Sequence, residues 1–216
     1  MNIMVKHALR DLRIQLVVGL LAFFVAAGLG WWLYSSYRAR INEQACFAFA
    51  VQLENLERLR QDPSADEQAW NAVGQDFAQA YKEYASSDLA PLYIAAQSEA
   101  ALNAKKPQEA ISLLEKALNA MGSSHSLYYL YKIKLQLMRL SSEDHTLVQE
   151  GMRELRALAE DAKNPQRGYA WYQLWHHAWV TGDEATAEEA FARLAAYQNQ
   201  GARWGQLAQA KMEFLA

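Results

Sequence analysis

The chain has 216 residues, a formal net charge of −3, 52% hydrophobic residues and a single cysteine. One cysteine excludes an internal disulfide framework, and residues 41–216, with 16 basic and 23 acidic side chains, carry no basic block of the kind that holds nucleic acid or anionic lipid. Four prolines, ten glycines and no alternating β-branched runs leave almost no strand signal. The expected fold class is all-α.

Residues 1–13 form a short tail containing Lys6, Arg10 and Arg13. Residues 14–34, IQLVVGLLAFFVAAGLGWWLY, contain no charge. At about 1.5 Å per residue a helix of this length spans about 30 Å, the thickness of a hydrocarbon core, so the stretch predicts one transmembrane helix. A cleaved signal peptide is the competing reading, because Val25, Ala26 and Ala27 offer small-residue spacing before Gly28. The apolar run continues through Leu29, Trp31, Trp32, Leu33 and Tyr34, beyond the length of a signal h-region, and favours an uncleaved anchor. Three basic residues precede the span, against Arg38 and Arg40 after it. This bias places the N-terminus in the cytoplasm. Trp31, Trp32, Tyr34 and Tyr37 make an interfacial aromatic belt, while Ala22, Ala26 and Gly30 form a small-residue stripe that suits contact with another transmembrane helix, a partner's or a second copy's.

Residues 35–216 predict a soluble domain of stacked helical hairpins. No proline or glycine interrupts residues 35–60, so the span should continue as one long helix until Pro63, with Ser64 as the next cap. The expected pairs are about 36–86, 91–122, 125–163 and 168–198, closed by a capping helix at 203–215. A tetratricopeptide register supports the last three pairs. Counted from Pro91, Ile94 and Ala101 take the fourth and eleventh positions on the first helix, and Ala110, Leu114 and Ala117 the small or apolar positions 20, 24 and 27 on the second. His125 opens the next unit, with a longer connection at residues 141–146. The unit from Gly168 fits best, with Trp171, Leu174 and Ala178, the Gly182-Asp183 turn, then Ala187, Phe191 and Leu194.

The stretch at residues 77–118, FAQAYKEYASSDLAPLYIAAQSEAALNAKKPQEAISLLEKAL, resembles the YfgM-type family of single-span bacterial membrane proteins. GDEATAEEAFARL at 182–194 and LAQAKMEFL at 207–215 add to that resemblance. It implies a bacterial inner-membrane protein with its N-terminus in the cytoplasm and a periplasmic repeat domain. The implied partners are the Sec translocon and a membrane-anchored periplasmic chaperone. The repeat pattern alone leaves open a scaffold for another envelope complex, serving cytochrome maturation, secretion or division.

Nothing in the sequence predicts an enzyme. It contains no GxSxG, Walker loop or GxGxxG. Neighbouring His176 and His177 point about 100° apart on a helix and cannot chelate one ion from the same face, so no metal or other cofactor is expected. A binding surface is expected instead on the first helices of the repeats, the concave side of a solenoid. It comprises Leu92 and Glu99, then Tyr129 and Ile133, then Tyr169, Tyr172, His176 and Trp179. This aromatic row suits an extended or helical peptide, unless the membrane-proximal or C-terminal helix covers it. Homo-oligomerisation through the span is a further expectation.

Overall fold

A computed structural model of the chain describes the backbone of residues 3–196 and 202–215, with side chains for residue 20, 23–196 and 203–211. All regular structure among the described residues is helical. The first helix, α1 (Ile3–Gln61), is 59 residues long and stops where Pro63 denies it a backbone donor. There Asp62 accepts hydrogen bonds from the Ser64 N–H (2.9 Å) and hydroxyl (2.6 Å), which commits Ser64 to the turn. The cap of α2 (Glu67–Glu83) is therefore Asp66, whose carboxylate accepts from the Ala69 N–H at 2.8 Å, and not Ser64 as the sequence suggested.

Each later helix begins or ends on a residue suited to that place. Prolines open α3 (Ala90–Asn103) and α4 (Pro107–Met121), where a missing N–H costs nothing. After α5 (Tyr128–Leu140), the connection closes on Asp144, which caps α6 (His145–Glu160) through the Thr146 N–H at 2.8 Å. The helix α7 (Arg167–Thr181) ends at Gly182 in the left-handed region, φ 77°, and the Asp183 N–H donates to the Ala178 carbonyl at 2.9 Å. Asp183 then caps α8 (Glu184–Ala196) by accepting from the Thr186 N–H. The last helix is α9 (Ala202–Leu215).

Consecutive helices pack in chain order, and α9 folds back on both α7 and α8. The result is a row of helical hairpins with one core passed along it. Phe77, Tyr93 and Ala100 fill the first section against Ala45 and Leu56 of α1. Ile94, Ala110, Leu114 and Leu135 fill the middle. Leu155, Trp171, Leu174, Trp175 and Leu194 fill the last. Small residues set the helix separation. A Cβ on Gly151 would lie 3.2 Å from the Gln136 carbonyl oxygen, so α6 crosses α5 closely at that point.

Polar contacts along its length fasten α1 to the row, among them Gln52 Nε2, which donates to the Asp76 carbonyl of α2 at 3.3 Å. Arg38 and Asn42 both bond the Asp88 carboxylate, Asn42 at 2.7 Å, and the Asp88 N–H donates back to Asn42. The Tyr93 hydroxyl donates to the Ala45 carbonyl at 2.6 Å from within a ring cluster with Phe49, Phe77 and Tyr84, and burial pushes its pKa up to about 12. Arg60, near the end of α1, pairs with Glu99 of α3.

Among the described residues, no helix is long and apolar enough to cross a membrane. The side chains of residues 14–19, 21 and 22, the first part of the expected span with Ala22 in its stripe, lie outside the described residues. Ala26 and Gly30 are exposed, and nothing lies within 4 Å of the position a Gly30 Cβ would take.

Candidate docking surface

The residues expected to line one concave face divide into three environments. Leu92 is half-buried on α3. Glu99 is an ion-pair hub: its side chain is only 17% exposed, and it holds Arg60 of α1 and Lys134 of α5, the latter at 2.7 Å. A carboxylate neutralised on both sides braces three helices and has little capacity left for a ligand.

On α5, Tyr129 is half-buried and its hydroxyl donates to Asp161 at 3.1 Å. Ile133 is fully buried in the last section of the core. Its place in the docking face is corrected, because the core built around Leu155 and Trp171 extends to Ile133. A side chain with no accessible surface cannot meet a partner.

The aromatic row on α7 is half covered. Trp204 of α9 packs on Tyr169 with ring centres 4.8 Å apart and on Tyr172 at 5.5 Å. Tyr172 in turn lies beside His176, 6.3 Å away and nearly parallel. Burial lowers the pKa of His176, with Lys211 of α9 and His177 acting in the same direction, and burial also lowers that of His177. Both shifts favour the neutral imidazole. Among the described residues no group of three His, Cys, Asp or Glu side chains is placed to hold a metal ion. Beyond His176 the row emerges: Trp179 is 45% exposed and Val180 69%.

Trp179 opens onto a cleft of about 520 Å³ between α7 and α8. The cleft exists because the facing positions are small, Ala178 and Gly182 on one side and Ala187 on the other. Trp175, whose ring centre lies 6.1 Å from that of Trp179, forms the floor with Phe191. Glu184 and Glu188 stand on the α8 side, four residues apart and so on one helix face. Its volume falls within the range of roughly 300–1,000 Å³ usual for ligand clefts.

Of these residues only Trp179 belonged to the expected docking face. The Glu188-Glu189 pair reads in sequence as a solvated face, yet Glu189 turns toward α6 and pairs with Arg156 at 2.8 Å while Glu188 turns to the cleft. The i, i+4 spacing of Glu184 and Glu188 opposite Trp175 and Trp179 was the available signal. No family model, no curated protein and no solved structure matches the chain.

Proposed function

We propose that the protein is a membrane-anchored adaptor, with α1 as both the membrane span and the stem of a tetratricopeptide-like domain that docks protein partners on the outer face of a bacterial inner membrane. The observation that carries this reading is the continuity of α1. Phe23, Phe24, Leu29, Trp31, Trp32 and Leu33 are 57% exposed or more, yet the same helix is locked into the hairpin row from Arg38 onward. Large side chains left bare in such number need an apolar solvent, and lipid supplies one to a helix whose backbone bonds are internal. The domain that follows has an aromatic cleft and no catalytic constellation in its sequence.

The resemblance to the YfgM-type family supplies the partners in this proposal, the Sec translocon and a membrane-anchored periplasmic chaperone. Cys46, exposed on α1 about 18 Å beyond Tyr34, is a native reporter of topology. Alkaline carbonate should leave the chain in the membrane pellet, and a membrane-impermeant maleimide applied to the periplasmic side should label Cys46. Release into the supernatant, or labelling only from the cytoplasmic side, would overturn the proposal.

A further inference from the structure

We propose that the α7–α8 cleft receives a basic amphipathic segment of a partner protein, seating an apolar side chain against Phe191 and an arginine or lysine against Trp179, Glu184 and Glu188. The inference rests on the reading of the hairpin row as a protein-docking domain and specifies the chemistry of what docks.

Charge decides the occupant. Neither Glu184 nor Glu188 has an ion-pair partner among the described residues, and no cation lines the cleft. Of the cations on adjoining elements, Arg156 pairs with Glu189, Arg193 lies over the ring of Trp171 at 5.9 Å, Arg203 lies over that of Trp204 at 5.8 Å, and Lys211 of α9 acts on His176. The remaining acid, Asp183, is used in capping, with its pKa lowered by its hydrogen bonds to Thr186. The negative C-terminal end of α7 and the positive N-terminal end of α8 meet at Gly182 and largely offset each other, which leaves two negative charges beside an apolar floor.

The rings favour the same ligand. An ammonium or guanidinium within about 6 Å of an indole face is attracted by the ring quadrupole. Trp179 is the open indole of the cleft, and the two glutamates lie on the helix facing it. A neutral apolar peptide would leave both carboxylates desolvated and unpaired at its edge, while an acidic one would be repelled.

The test uses the full chain in zwitterionic lipid nanodiscs, with empty discs subtracted. Three fluorescent peptides share one leucine pattern and carry arginine, glutamine or glutamate between the leucines. The arginine peptide should bind at least about tenfold more tightly than the glutamine peptide, and the glutamate peptide should not bind. Glu184→Gln with Glu188→Gln should weaken the arginine peptide about five- to tenfold and flatten its salt dependence, and Trp179→Ala should weaken it by a similar factor. All three positions are exposed, so helical content should not change. Equal affinity for the arginine and glutamine peptides, unchanged binding by the double glutamine variant, or no binding of any peptide overturns the inference. Photocrosslinking of a partner from Trp179 in native membranes, together with equal peptide affinities, would leave the adaptor standing and remove only the basic ligand.

Discussion

Replacing Glu99 by glutamine keeps its size and removes the charge that joins α1, α3 and α5. In the native chain one carboxylate oxygen faces Arg60 and the other faces Lys134 Nζ at 2.7 Å, with the Glu99 side chain 17% and the Lys134 side chain 33% exposed. Exposed pairs contribute up to about 1 kcal/mol, and breaking a buried one costs about 3–5 kcal/mol. Glu99 lies between these limits. Its loss also leaves Arg60 and Lys134 as unneutralised neighbours, and burial, followed by the charge of Arg60, already lowers the Lys134 pKa.

A cost of about 2 kcal/mol follows, or roughly 4–8 °C in the melting temperature of a domain this size. Urea unfolding followed by circular dichroism in detergent measures it. Adding Lys134→Met to Glu99→Gln should recover about half of the loss, because the stranded cation is then gone. A change below about 0.5 kcal/mol for Glu99→Gln, or a double variant worse than the single one, would refute the idea that the triad braces the stem against the repeats.

The other predictions concern the remaining sections. Trp204→Ala removes two aromatic contacts and should cost about 1–3 kcal/mol locally. Hydrogen exchange should then accelerate across α9 while α3 and α4 stay protected. His176 and His177 have pKa values below the ordinary 6.5, so the unfolded chain binds more protons just below that pH. Stability should accordingly be full above pH 6.5 and fall as the pH drops through the folded values. His176→Gln with His177→Gln should flatten the slope below pH 6.5, whereas the lowered carboxylates Asp62, Asp144 and Asp183 act only near and below their ordinary 3.8. Asp144→Ala should lower the melting temperature through the lost α6 cap, and asparagine should restore most of it. Gly151→Leu should cost more than 2 kcal/mol, since even its Cβ would meet the Gln136 carbonyl and the Arg139 side chain at 3.2 Å.

Helical periodicity and punctuation made the hairpins legible, because Pro63, Pro91 and Gly182 act through backbone rules that need no tertiary context. Side-chain environments depend on neighbours far along the chain and were less legible. Ile133 reads in sequence as part of the docking face, but it is buried in the core with Leu155 and Trp171. The capping role passed from Ser64 to Asp66 because Asp62 had already engaged Ser64. Glu99 reads in sequence as part of the docking face, and its two cations come from positions 60 and 134, which sequence spacing does not connect. Tyr169 and Tyr172 lost their open face to Trp204, and the cleft beside Trp179 depends on small residues on two helices at once.

The most direct test of the adaptor reading is site-specific photocrosslinking in native membranes, with the reactive residue placed at Tyr169 or at Trp179. The covered Tyr169 should crosslink within its own chain to α9, where Trp204 lies 4.8 Å away. The open Trp179 should crosslink another protein, with Sec components or an envelope chaperone as the expected adducts. Intrachain products alone at Trp179, from membranes in which the Tyr169 control reacts as expected, would contradict the account.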